Sequence, residues 1–300
     1  MKRTDPQSGC HVAARLANLL CGVGSVLFLI AIWIFSPGKA FAGALAPFTF
    51  VMINSDTERL YGSLPFNRAL VARAVESLTA AKAKGVILKF FYDLPSTEEN
   101  DSLLERSICA SSVALQAGLN DDEGTTGPLE SKFQFEGPRF AVLLPLFSGD
   151  KALLPLERFR RCASAVGFVD STESQVPLFE LYQGKLVKSL QLVALEMVSN
   201  QTAQADGAGF VKLGSARLEL MHEIVFPATN SISYIPFHDV LSQEPSSWRT
   251  KVEGSVVVLG YDGKNIHTIN TPLGAVGAHR FFIYGLLSLA QAYEKAGQQR

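Results

Sequence analysis

The chain has 300 residues, 27 Lys and Arg against 28 Asp and Glu, 47% hydrophobic and 18% charged residues, and a mean hydropathy of +0.17. This balance excludes disordered, collagen-like and disulfide-knot classes, and the net charge of −1 leaves no electrostatic footprint for nucleic acid. One long apolar run, not several, excludes a polytopic transporter.

That run is Leu16 to Phe35, LANLLCGVGSVLFLIAIWIF, without a formal charge and long enough to cross a bilayer core as a helix. Lys2, Arg3 and Arg15 precede it and Lys39 alone follows closely, so the positive-inside bias places the N-terminus in the cytoplasm and exports the body. Two readings compete. The run is a retained anchor, or Val26 to Phe35 is a signal-peptide core, followed by the Ser36-Pro37-Gly38 breaker and the A-x-A pattern Ala40-Phe41-Ala42. Cys21 lacks the small preceding residues of a lipoprotein site. Residues 1–42 carry four of the 27 basic and one of the 28 acidic residues, so the body from 43 to 300 retains 23 and 27 and is mildly acidic. Of the four cysteines it holds Cys109 and Cys162; an oxidising compartment permits a bridge between them, and two separate buried thiols fit equally well.

In the body, Phe48 to Ile53 reads as a buried strand ended by a turn at Asn54-Ser55-Asp56. After Pro65, Asn67 caps a predicted helix with Leu70, Val71, Ala74, Val75, Leu78 and Ala81 at helical spacing, closed before Gly85. Val86 to Tyr92 is a second strand, which makes a βαβ unit and parallel pairing. A polar loop, Asp93 to Asn100, leads to a helix over Leu103 to Leu119, then to a long loop from Asn120 to Arg139. Strands follow at Phe140 to Phe147 and Ala165 to Val169, and a hairpin at Val176 to Tyr182 and Lys185 to Val187 turns around Gly184. Ser189 to Ser199 reads as a helix and Gln201 to Gly209 as a loop. Short strands at Phe210 to Leu213, Arg217 to Leu220 and Ser231 to Ile235, a buried strand at Val256 to Gly260 and a closing helix from Ala278 to Lys295 complete the chain. The pattern predicts an α/β fold: a mixed, largely parallel central sheet flanked by helices.

Catalytic motifs are scarce. There is no G-x-S-x-G elbow, and Gly260 to Lys264, GYDGK, lacks the glycine spacing and Ser/Thr of a phosphate loop. His222, His238, His267 and His279 have no metal-ligand spacing, and the carboxylate groups at Glu98, Glu99, Asp101 and at Asp121, Asp122, Glu123 read as solvated loop charge. No cofactor or metal is implied. Asn54, Asp56, Asn67 and Arg68 stand at the carboxyl end of the first strand and the start of the next helix, where open α/β sheets collect small ligands, and they form the candidate ligand-binding set. Capping by Asn67 and ion pairing by Arg68 account for the same residues structurally.

Several segments resemble one family in order and spacing: FVMINSD at 50–56, the stretch at 64–96, Gly167-Phe168-Val169-Asp170, Pro177-Leu178, Lys188-Ser189-Leu190, His238 to Leu241, Lys251 to Gly260 and Thr271 to Gly274. They resemble the type-two CHASE domain, an extracytoplasmic sensory module of bacterial receptors, over most of 48–290. The chain departs from that pattern by Asn54 where the family carries Asp, by Lys89 in place of an acid, by His267 or Thr268 in place of Asp, and by Ala278-His279-Arg280 in place of Val-Glu-Ile. The resemblance implies a non-enzymatic sensory or adaptor module in the bacterial envelope. It would be anchored in the inner membrane by its N-terminal helix or released after cleavage near Ala42. Since the chain ends at Arg300 without an output domain, signalling is expected through a protein partner that carries one, in response to a small molecule or an envelope protein. The competing expectations are an exported hydrolase using Asp56, His267 and His279, and a structural envelope subunit.

Overall fold

A computed structural model describes residues 47–135, 147–206, 209–228, 232–242 and 248–298. The apolar run at 16–35, the A-x-A pattern and residues 140–146 of the expected third strand lie outside these residues. Among the described residues no helix is long and apolar enough to cross a membrane.

The central sheet contains β1 (Phe48–Ile53), β2 (Gly85–Leu88), β3 (Val113–Leu119), β4 (Ala152–Leu153), β5 (Ala165–Phe168), β6 (Ile235–Pro236) and β7 (Val256–Tyr261). Its order is β6-β1-β7-β2-β3, with β5 and β4 sharing the far edge of β3. Every pairing is parallel except β3 with β4. The fold is therefore α/β, with a mixed and largely parallel sheet.

Strands buried on both faces read as continuous apolar runs, as FTFVMI and VVVLGY do. Their side chains still alternate. Val51, Ile53, Val86, Leu88, Val113, Leu115, Val257 and Leu259 join one core; Phe48, Phe50, Met52, Ile87, Ala114, Val256 and Val258 join the other. The helices are α1 (Ser55–Tyr61), α2 (Arg68–Ala80), α3 (Glu98–Cys109), α4 (Glu157–Cys162), α5 (Leu190–Ser199), α6 (Phe237–Leu241), α7 (Arg249–Val252) and α8 (Ala278–Gln298). Helices α2 and α3 cover the first core through Val71, Val75, Leu78, Leu104 and Ile108; α5 and α8 cover the second through Leu190, Val193, Phe282 and Leu286.

The turn expected at Asn54-Ser55-Asp56 opens α1 instead, because the Asn54 carboxamide accepts the Thr57 N–H at 2.9 Å. The helix expected over 103–119 is two elements. Thr97 caps α3 from within the expected polar loop, α3 ends at Cys109, and VALQAGL is β3. Being buried on both faces, β3 lacks the polar alternation of a half-exposed strand, and Leu104, Ile108 and Leu115 happen to fall at helical spacing. The second strand is shorter than expected, ending at Leu88, although the Lys89 N–H still donates to Leu259 O at 3.0 Å. The hairpin pairs Phe179–Tyr182 with Lys185–Lys188, and its turn at Gln183 and Gly184 has φ of 49° and 69°, which suits the twist of paired strands. Val176 belongs to a separate strand, Gln175–Pro177, paired with Met221–Glu223. Within the expected loop at 201–209, Gln204–Ala205 pairs with the strand Phe210–Leu213. Of the strand expected at 231–235, Ile235 is the part that enters the sheet.

Cys109 and Cys162 are bridged, with Cα atoms 4.6 Å apart across 53 residues of chain, and the bridge joins the ends of α3 and α4. Closing a loop of that length removes chain entropy from the unfolded state worth about 4 kcal/mol. Such a bridge persists in an oxidising compartment. Replacing both cysteines by serine is expected to lower the unfolding free energy by about that amount in urea titrations; a double variant as stable as the parent refutes the assignment.

Candidate functional site

In parallel sheets with helices on both faces, ligands gather outside the carboxyl ends of the strands. A cleft of about 530 Å³ lies there, at the ends of β2, β3 and β5 and beneath the start of α8. Its polar lining comes from Lys89, Gln116, Asp170, Gln191, His267 and His279. Its apolar walls include Phe90, Phe91, Phe281, Phe282, Ile266 and Ile269.

Local structure explains each placement. Lys89 follows Leu88 and takes the face of Ile87, while Gln116 takes the face of Ala114, so strand alternation sends both toward the α5 and α8 side. Gln191 sits in the first turn of α5, which Ser189 caps by accepting the Leu192 N–H at 3.3 Å. That turn lies directly on β5. A Cβ at Gly167 would stand 2.4 Å from Leu190 Cα, so only glycine admits the approach. Asp170, two residues beyond β5, is oriented by the Leu119 N–H, which donates to Oδ2 at 2.9 Å. His279 enters over Gly260, where a Cβ would stand 3.1 Å from its Nδ1. The Tyr261 N–H donates to that Nδ1 at 2.8 Å, so the neutral ring carries its proton on Nε2 and aims a donor elsewhere. Arg280 holds the same helix start by a bidentate pair with Asp262, at 2.5 and 2.6 Å.

The electrostatics are unusual for an interior. Lys89 is 5% exposed, and its Nζ donates to Gln116 Oε1 at 2.6 Å and lies 5.3 Å from the Phe282 ring centroid. Burial lowers its pKa to about 7, against the Asp170 charge, which raises it. One hydrogen bond leaves Lys89 at least one N–H without a partner among the described residues. Burial, and then the Lys89 charge, hold His279 well below its ordinary value, so it is neutral. Behind Asp170, Glu180 is fully buried; burial and then the Asp170 charge raise its pKa well above the carboxylate range. Gln191 is 2% exposed, lines the cleft, and its Oε1 has no hydrogen-bond partner. A buried amide oxygen without a donor costs about 1–3 kcal/mol, which a bound donor group would recover.

The residues singled out from sequence lie beside this cleft or beyond it. Asn54 and Asn67 use their carboxamide oxygens to cap α1 and α2. Asp56 faces solvent, 59% exposed, and pairs with Arg59 at 2.7 Å. It does not line the cleft that His267 and His279 share, so the three side chains of the hydrolase expectation are not gathered in one pocket. Arg68 pairs with Asp101, donates to Leu94 O at 2.5 Å, and lies 5.4 and 5.5 Å from the Tyr92 and Phe159 rings. It borders a second cleft of about 420 Å³ that shares Phe90 and Phe91 with the first. No three His, Cys, Asp or Glu side chains group as metal ligands among the described residues. Gln116 and Gln191 carried no sequence signal as site residues. Lys89 and His279 did, as departures from the family pattern, and Asp170 did as part of its Gly-Phe-Val-Asp segment.

Two outcomes follow from these charges. The unfolded state holds a proton on Lys89 up to pH 10.5 whereas the folded state releases it near 7, so folding stability gains from rising pH between those values, by at most about 1.4 kcal/mol per unit. Comparing urea unfolding of the parent and Lys89→Met across that range should find the parent's gain steeper; identical profiles would refute the burial of the amine. Arg68→Met strands the Asp101 carboxylate, 3% exposed, and is expected to cost about 3–5 kcal/mol, with much of it regained in Arg68→Met/Asp101→Leu. A neutral single variant contradicts the buried pair.

No curated protein and no solved structure matches the chain. The family model described as CHASE2 domain matches residues 32–297, almost the whole length. The type-two CHASE resemblance read from the motifs is thereby borne out, and with it an extracytoplasmic sensory domain, in keeping with the bridged Cys109 and Cys162. The chain belongs to the CHASE2 domain family.

Proposed function

We propose that the chain is a non-enzymatic sensory module of the bacterial envelope that binds a small ligand in the cleft at the ends of β2, β3 and β5. The observation that carries this reading is the incomplete hydrogen bonding of its walls: Lys89 brings a desolvated amine with an unpaired N–H to the space that the His279 Nε2–H and the Asp170 carboxylate also line, and the lining residue Gln191 keeps a buried Oε1 without a donor. Interiors otherwise pair such groups, so unpaired ones converging on a cleft fit a ligand that completes them. Arg68 enters the reading through the adjoining cleft across Phe90 and Phe91. Asn54, Asp56 and Asn67 enter it as the caps and turn that set the neighbouring helix starts. The bound state is passed to a protein partner that carries the output, and the N-terminal apolar helix, if uncleaved, holds the module at the membrane.

A ligand changes such a module by binding two conformations with different affinity. The test is a thermal-shift screen of an envelope metabolite extract on the parent, Lys89→Met and Gln191→Leu. A ligand present at a hundred times its Kd stabilises by about 2.7 kcal/mol, which is roughly 5–10 °C for a domain of this size. A shift in the parent that both variants lose is the expected result. A shift that both variants retain places the ligand elsewhere and overturns the reading.

A further inference from the structure

The cleft's free polar groups are of two kinds. On one side stand donors: the remaining N–H of Lys89 Nζ, and the Nε2–H of His279, which has no protein partner among the described residues. On the other stands a negative charge, the Asp170 carboxylate, which keeps Oδ2 on the Leu119 N–H. Lys89 and Asp170 feel each other's charge and line the same cleft, yet they form no direct ion pair. The donors call for an anion and the carboxylate for an N–H cation. The remaining wall is mostly apolar, with four phenylalanines, and is interrupted by Ser171 and His267.

A purely anionic ligand would meet the Asp170 charge, and a purely cationic one would meet Lys89. A sugar or polyol would satisfy both polar sides and gain little from the phenylalanine walls. A molecule with both charged groups on one carbon and an apolar group on the same carbon satisfies every side, and a cleft of about 530 Å³ has ample room for it. We propose that the cleft binds an apolar α-amino acid, its carboxylate toward Lys89 and His279, its ammonium toward Asp170, and its side chain among the phenylalanines.

This rests on the cleft being the sensory site, and the experiment separates the two claims. Isothermal titration of the full chain at pH 7 uses L-phenylalanine, L-leucine, 3-phenylpropionate, which lacks the ammonium, and 2-phenylethylamine, which lacks the carboxylate. The expected result is binding of the two amino acids, with each truncated analogue weaker by roughly tenfold or more. Lys89→Met should weaken phenylalanine by a similar factor while 2-phenylethylamine binds no more weakly, and Asp170→Asn should weaken phenylalanine while 3-phenylpropionate binds no more weakly. Equal affinity for 3-phenylpropionate and phenylalanine overturns the zwitterion and leaves a hydrophobic acid. If no amino acid binds while a compound from the extract does so in a Lys89-dependent way, the ligand class falls and the site stands. If phenylalanine binds equally to the parent and both variants, the site falls as well.

Discussion

The parallel pairing of β1, β7, β2 and β3, covered by helices on both faces, governs everything built at the cleft. Parallel strands all end on the same side, so the residue after each contributes to one rim: Lys89 after β2, Asp170 after β5, and Tyr261 at the end of β7. Register then decides the face. Ile87 and Ala114 belong to the core under α5 and α8, so Lys89 and Gln116, each two residues on, point the same way. A slip of one residue would turn the amine and its amide partner into the opposite core, among Leu104 and Ile108, with no polar companion.

An amine held at 5% exposure works against folding, and the surroundings reduce the cost without removing it. Gln116 takes one of its hydrogens, and the Asp170 charge favours the protonated form. Burial and the Asp170 charge together hold the Glu180 pKa well above the carboxylate range. A core built for stability alone would fill this volume with apolar side chains. Charged and unpaired groups maintained there instead are characteristic of positions where binding limits the choice of residue.

The sheet's inner strands, the Asn67-capped helix, the hairpin at Gly184 and the closing helix were all legible because each bears its own local signal: an apolar run, a cap before a periodic stripe, a left-handed turn, an amphipathic face. β3 was not. Its burial on both faces erases the alternation that distinguishes a strand, and the break at Ala110 to Ser112 has neither Gly nor Pro to mark it. The cysteine bridge depended on α3 and α4 packing together, which spacing does not encode. The cleft is legible only residue by residue. Lys89 and His279 stood out as departures from the family pattern, but the 189 residues between them give no hint that they meet. Their meeting follows from β7 lying beside β2, which is a property of strand order.

Strand order also makes the two sides of the cleft mechanically unequal. Lys89, Gln116 and Asp170 stand on or beside strands laddered to neighbours, and Gln191 on a helix pressed against β5 through Gly167. The opposite side, His267, Ile269 and the first turn of α8, belongs to a hairpin of Thr268–Thr271 and Gly274–Gly277 that pairs with itself and not with the main sheet. It is tied back by discrete bonds: Ala278 N–H to His267 O at 2.9 Å, Tyr261 N–H to His279 Nδ1 and Arg280 to Asp262. Breaking a few such bonds costs far less than unpairing a ladder, so two conformations of different ligand affinity are most cheaply made on the hairpin and α8 side. Helix α8 continues from there for 21 residues with its middle turns buried against the second core. A displacement at its first turn is therefore shared by a rigid element about 30 Å long.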